Sequence, residues 1–223
     1  LKSFSPFIRL FFQFIISTIS WFGVIKINGL YFSFNYINEY LNLNSNFISY
    51  FFTVFWTVGV INAINWIDGM DSLLIGLTCI YSFTFAIIYF FNNSYLDFLL
   101  SIGMFFACLG FLKYNKNPSL IMAGDGGSYL IGYYLSISAL SYSQNPGIVN
   151  PFLLVSLLFI PLIDMVRVII LRLFHLQTPF FPDRKHFHYL LLDNGMSQKN
   201  CLLIIFFISL CNSIFNIIVI SSS

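Results

Sequence analysis

The chain has 223 residues, of which 58% are apolar and 8% charged, with a mean hydropathy of +0.85 and a net charge of +2. Soluble domains carry about 25% charged residues, so the charge here cannot cover a water-facing exterior, and a soluble fold is excluded. The apolar runs are long and continuous, which also excludes a barrel of alternating segments of about ten residues, leaving an all-α, polytopic transmembrane helix bundle.

A spanning helix needs about 20 predominantly apolar residues. Seven candidates follow in chain order: Phe7–Ile27, Phe47–Ile64, Leu73–Phe91, Leu96–Leu112, Ser128–Tyr142, Ile148–Leu171 and Cys201–Ile220. Asn28–Asn46, rich in Tyr and Asn, reads as an interfacial connection, and Asn92–Tyr95 and Ser143–Gly147 as tight turns. Cys79, Cys108, Cys201 and Cys211 sit inside apolar runs without CxxC spacing, so they read as small buried hydrophobes rather than a disulfide framework or metal site. Leu1 is followed at once by the first apolar run, with Lys2 and Arg9 at its flank and no signal-peptide pattern, which reads as a chain entered midway.

Seven crossings place Lys2, Arg9, Lys113, Lys116, Arg167, Arg172, Arg184, Lys185 and Lys199 on one side and Lys26 alone on the other. Basic residues concentrate on the cytoplasmic side of membrane proteins, so the first side is predicted cytoplasmic. Asp68, Asp71, Asp125, Asp164, Asp183 and Asp193 gather there as well, and Glu39 and Asp97 do not. The charge rule concerns Lys and Arg, so the acids need another cause. A cytoplasmic active site supplies one.

Four stretches carry chemistry. In Asn62-Ala-Ile-Asn65-Trp-Ile-Asp68-Gly-Met-Asp71, polar residues recur at every third position at a helix end. Each step of three turns a side chain back by about 60° on an α-helix, so a shared pocket requires a break, for which Gly69 is the natural place. A polar helix end followed by a turn would give the same pattern, although ionisable groups near the membrane interior are expensive to keep without a use. Ala123-Gly124-Asp125-Gly126-Gly127-Ser128 precedes the fifth helix. Its glycines would let backbone N–H groups crowd an anion at a helix N-terminus, and Asp125 could hold a Mg²⁺ that binds phosphate. A glycine turn capped by Ser128 is the alternative.

In Pro161-Leu-Ile-Asp164-Met-Val-Arg167 the two charges lie three apart, the spacing of an intrahelical ion pair that could also orient the loop after it. That loop, Pro179–Gly195, reads PFFPDRKHFHYLLLDNG and is a hydrophilic stretch among apolar surroundings. His186 and His188 would point about 200° apart on a helix and to one side on an extended segment, and Pro182 argues against a regular helix there. Arg184, Lys185 and the two histidines suit a diphosphate; a solvated basic loop is the alternative. Zinc is poorly matched, because no third ligand stands at the usual spacing.

Taken together these stretches resemble the polyprenyl-phosphate N-acetylhexosamine-1-phosphate transferases. NAINWIDGMDSLL is similar to that family's NAxNxxDGxDGL element, and AGDGGSYLIG to its GDxGSxxLG element. PLIDMVRVIILRL with PFFPDRKHFHYLLLDNGMSQKN resembles the helix and His-rich loop of the branch using UDP-linked amino sugars. The resemblance implies transfer of an amino-sugar 1-phosphate from a UDP-sugar to a membrane polyprenyl phosphate, with release of UMP, at the cytoplasmic face of a bacterial inner membrane. It assigns catalysis to Asp68, Asp71 and Asp125, with Asp125 as ligand of a Mg²⁺ for which Mn²⁺ could substitute. Asn62, Asn65, Arg184, His186 and His188 would bind substrate. The bilayer, a UDP-amino sugar and polyprenyl phosphate are the implied partners, with a homodimer allowed and no nucleic acid.

Three positions depart from the family pattern. An adjacent aspartate pair is expected just before Leu1–Pro6, Tyr189 stands where the family has a third histidine, and Ser72 replaces a glycine. The first implies that residues 1–223 form one integral membrane domain that is the C-terminal part of a larger transferase domain, and that this chain alone is inactive. A transporter would instead place acids near helix midpoints and carry inverted repeats. A non-catalytic interaction partner is the other alternative.

Overall fold

The computed structural model describes residues 5–23, 26–34, 37–42, 45–142, 148–176 and 184–221. Lys2, the expected turn Ser143–Gly147 and the part of the polar loop from Pro179 to Asp183, with Pro182, lie outside them. Each predicted apolar segment contains helix among the described residues: α1 Pro6–Phe22, α2 Asn46–Ile67, α3 Leu73–Phe91, α4 Tyr95–Asn115, α5 Gly124–Ser141, the pair α6 Pro151–Leu157 and α7 Phe159–Phe174, and α9 Gln198–Ser221, with a short α8 Phe187–Asp193 before the last.

Among the described residues, α2, α3, α4 and α9 are long and apolar enough to cross a membrane, and α6 with α7 would make a fifth span. Of the seven expected spans, the other two are the 17-residue α1 and the 18-residue α5, whose first turn carries Asp125 among glycines. The chain is an all-α, multi-pass helical membrane protein with one small sheet. Its outer helix faces stay apolar, as lipid contact requires: Leu96, Leu99, Leu100 and Phe106 on α4 and Leu203, Phe207 and Ile214 on α9 are exposed.

One expectation gains detail and one is corrected. The connection expected over Asn28–Asn46 contains paired strands, which its reading as a Tyr- and Asn-rich link did not foresee: β1 Gly29–Phe34 pairs antiparallel with β2 Ile37–Asn42, with Phe34 opposite Ile37, and β3 Ile148–Val149 joins β1 in parallel, in the order β2-β1-β3. Aromatic and β-branched residues alternating with polar ones favour such pairing. Ile148–Leu171 is not one helix: it begins as β3, and α6 and α7 meet at 98° around Leu158. Pro161 has no N–H to give the carbonyl of Leu157, and its ring crowds that carbonyl, so a continuous helix cannot pass through.

α3 is the hub, packed on α4, α5 and α9, with Leu73, Leu77, Tyr81, Phe85 and Tyr89 almost wholly buried. α2 lies beside it, against α1, α5 and α7. The approach of α5 to α2 depends on Gly132, where a Cβ would stand 2.8 Å from Cα of Ile61. The indole of Trp56 donates to the Ser136 carbonyl across the same interface. Close packing between small residues, helped by such bonds, is what associates helices in lipid, where burial alone gives little. It sets the C-terminal end of α2 beside the N-terminal end of α5.

Candidate active site

The three-residue spacing of Asn62, Asn65 and Asp68 runs off the end of α2. Asn62 and Asn65 are helical, and Asp68 is the C-cap residue with φ −76° and ψ 48°. Departing from the helix there counters part of the backward rotation, and all three line one polar cavity of about 320 Å³. Asp71 is not brought to that cavity. Beyond the turn its carboxylate accepts from Nδ2 of Asn117 and from the N–H of Ser119, and Gln198 donates to its carbonyl. Ser72, in the position of the family glycine, has φ +67° and is tied to Asn115 through its N–H and hydroxyl.

The glycine-rich stretch is the first turn of α5 itself. The helix begins at Gly124, which takes φ +61°, so Ser128 lies inside the helix and is not its cap. Ser128 instead accepts from Asn65 Nδ2 at 2.8 Å, while the same amide donates to Asp125 Oδ1 at 3.3 Å. The backbone N–H of Gly124 stands near the Asp68 carboxylate. Burial pushes Asp68 up to about 6; the Gly124 N–H favours its anion, and the charge of nearby Asp125 opposes it. Two carboxylates thus face each other across the α2–α5 contact.

α1 brings groups that motif reading missed. Arg9 Nη1 donates to Asp125 Oδ2 at 2.8 Å and to the Tyr129 hydroxyl at 3.3 Å, while Gln13 Oε1 accepts from Asn62 Nδ2 at 2.7 Å. Arg9, Gln13 and Ser17 stand four apart in an apolar helix, and the last two are buried while most of their neighbours are exposed. That polar stripe is the signal in the sequence, since residues four apart share a helix face. Arg9, Gln13, Trp66, Tyr129, Arg172 and Tyr189 complete the cavity wall.

The Asp164–Arg167 ion pair forms at 2.8 Å, as its spacing predicts, and it does orient the following loop. Asp164 also accepts from the His186 ring and the Phe187 N–H, and Arg167 donates to the Lys185 carbonyl. His186 is the N-cap of α8 and His188 its second residue, so the helix begins between them; their rings are nearly parallel, with centroids 6.0 Å apart. The histidines do not do the same work. His186 lines the cavity, whereas His188 is buried beside Gly69 without a hydrogen-bond partner for either ring nitrogen. Burial pushes His188 down to about 4, with His186 adding to this and Asp164 opposing it.

Arg184 is exposed, paired with Asp193 at 3.2 Å and stacked over the Tyr189 ring, and it does not line the cavity. Tyr189 does, and its hydroxyl donates to the Gly69 carbonyl at 3.2 Å. Among the described residues no cluster of three or more His, Cys, Asp or Glu could hold a metal ion. A hard cation sharing its shell with substrate phosphates needs only one or two carboxylates, and Asp68 and Asp125 are the two at the α2–α5 contact.

Comparison with known proteins bears on this arrangement. Residues 1–143 match the family described as glycosyl transferase family 4. A probable undecaprenyl-phosphate N-acetylglucosaminyl 1-phosphate transferase of Bacillus subtilis (strain 168) is 34% identical over 194 residues, covering 86% of this chain and 54% of the relative. A decaprenyl-phosphate N-acetylglucosaminephosphotransferase of Mycobacterium tuberculosis (strain ATCC 25618 / H37Rv) is 33% identical over 69% of this chain and 43% of its own length. An undecaprenyl-phosphate alpha-N-acetylglucosaminyl 1-phosphate transferase of Escherichia coli (strain K12) is 31% identical over 70% and 44%. The chain spans about half the length of these curated relatives. With a match over residues 1–143 that takes in the Asn62–Asp71 turn and the Asp125 helix start, the chain belongs to glycosyl transferase family 4.

Proposed function

We propose that this protein transfers an N-acetylhexosamine 1-phosphate from a UDP-sugar to a polyprenyl phosphate, giving the polyprenyl-diphosphate sugar and UMP. One observation carries the reading. The polar cavity shares Leu10, Asn62 and Trp66 with a mainly apolar groove of about 370 Å³ between α1, α2 and α7. A site wet on one side and greasy on the other suits a lipid that carries a phosphate and a nucleotide that arrives from water. The basic residues Arg9, Lys113, Lys116, Arg172, Arg184, Lys185 and Lys199 lie toward the cavity end of the bundle, and Lys26 toward the other. That bias supports a cytoplasmic site in a bacterial inner membrane.

In the reaction an oxygen of the lipid phosphate attacks the sugar-bearing phosphorus of the UDP-sugar, and UMP leaves with the electrons of the broken phosphoanhydride. One such bond is formed and one broken, so the protein's work is positioning two polyanions and screening their repulsion. Arg9 and Arg172 line the cavity and take the cationic role that the sequence assigned to Arg184. Asn62 and Asn65 present amides, and His186 presents its ring. Asp125 would hold Mg²⁺, which supplies charge neutralisation at phosphate oxygens.

The test is UMP release from UDP-N-acetylglucosamine in polyprenyl-phosphate micelles with Mg²⁺, using protein expressed from the complete reading frame. Turnover dependent on both substrates is expected. No turnover with any UDP-amino sugar would overturn the reading.

A further inference from the structure

Asp164 belongs to none of the groups that line the cavity, yet its surroundings are built around it. Its side chain is 6% exposed, and its two oxygens take three donors. Oδ1 accepts from Arg167 Nη2 at 2.8 Å and from the Phe187 N–H at 2.9 Å, and Oδ2 meets His186 Nδ1 at 2.8 Å. Oδ1 already takes two donors, and an ionised carboxylate can only accept, so the hydrogen on the Oδ2 contact belongs to Nδ1. The His186 ring is further fixed by Trp66, edge-on with centroids 5.7 Å apart, and by the parallel ring of His188. With Nδ1 committed, Nε2 is the nitrogen left for the cavity that His186 lines.

We propose that Asp164 is a positioning residue of the transfer site, holding His186 as the Nδ1–H tautomer so that Nε2 is what the bound nucleotide meets. The ligand in this proposal rests on the transferase reading; the tautomer does not. The same logic recurs wherever a carboxylate behind an imidazole selects which nitrogen faces a ligand. The charged or titratable groups around His186 are Asp164, Arg167 and His188 on its buried side, and Arg9, Asp68, Tyr129, Arg172 and Tyr189 around the cavity.

In ¹⁵N-histidine protein in micelles, the imidazole nitrogen resonances lost in His186→Gln identify the ring in question. At a pH where that ring is neutral, a protonated Nδ1 and an unprotonated Nε2 are expected, and Asp164→Asn should abolish the preference. Adding UDP should shift Nε2 far more than Nδ1. A wild-type ring protonated on Nε2, or a pattern unchanged in Asp164→Asn, overturns the proposal. If Asp164→Asn does not fold, the wild-type spectrum decides. The expected tautomer with no response to UDP would count against the nucleotide reading of the cavity and leave the placement by Asp164 standing. In turnover assays Asp164→Asn is expected to cost about 10- to 100-fold, the scale of losing an orienting partner.

Discussion

Arg9 and Asp125 are 116 residues apart in sequence and joined by a 2.8 Å ion pair in the fold. Asp125 is the proposed cation ligand, so Arg9 occupies one of the oxygens that a divalent ion would use. Both side chains are partly exposed, and a pair of that kind contributes about 0.2–1 kcal/mol. Arg9→Gln should therefore tighten Mn²⁺ binding in the absence of substrate, by up to about five-fold, read by Mn²⁺ titration under electron paramagnetic resonance. The same variant should turn over more slowly, since the cavity loses a cation. Weaker Mn²⁺ binding in Arg9→Gln would place the metal elsewhere.

Asp125→Asn tests the other partner. It keeps the shape and an acceptor for Asn65 but removes the charge, and the loss in Mg²⁺-dependent transfer should reach at least about 10²-fold, as expected when metal-borne charge stabilisation is lost. Activity within a few-fold of wild type would rule out the role given to Asp125.

Ser72 offers a purely conformational prediction. A non-glycine residue in the left-handed region costs about 1–2 kcal/mol, and Ser72 sits there with φ +67°. Its hydroxyl bond to the Asn115 carbonyl offsets part of that cost. Ser72→Gly and Ser72→Ala both lose the bond, so their difference isolates the backbone. Glycine should be the more stable by about 1–2 kcal/mol, the reverse of their order inside a helix. That corresponds to a gap of about 2–8 °C in thermal midpoint for a chain of this size. Equal midpoints would show that the turn relaxes around alanine.

These residues also show what the sequence could and could not convey. Apolar runs announced the helices because lipid demands them, and the NxxNxxD spacing placed three polar groups at one helix end. The same spacing suggested a fourth, Asp71, because a repeat in sequence does not say how far a turn rotates once the helix stops. Charge alone could not tell Arg184, which pairs outward with Asp193, from Arg172, which faces the cavity. Arg9 and Gln13 come from a helix remote in sequence, and only packing brings them to Asn62 and Asp125. The strand pairing and the bend at Leu158 were written locally, in aromatic alternation and in Pro161, but the Tyr and Asn content of Asn28–Asn46 hid the first and apolar run length the second.

His188 gives the pH prediction. Its imidazole is 1% exposed, has no hydrogen-bond partner, and titrates at about 4 in the fold against an ordinary value of 6.5. Between those values the unfolded chain binds the proton and the folded one does not, so stability rises with pH across that window. The contribution is fully present above about pH 6.5 and is lost as pH falls toward 4, at a slope of up to about 1.4 kcal/mol per unit. Thermal midpoints in detergent should thus drop on acidification through this range, and the non-titrating His188→Gln should drop less. The carboxylates are shared by both proteins, so the difference between the two curves belongs to this ring. If the curves run parallel from pH 7 to 4, His188 is solvated, and its assignment as a buried support behind Gly69 fails. Substrate affinity supplies the complementary measure: because His186 and not His188 lines the cavity, His188→Gln should leave UDP binding within about three-fold, well below the tenfold step of 1.4 kcal/mol.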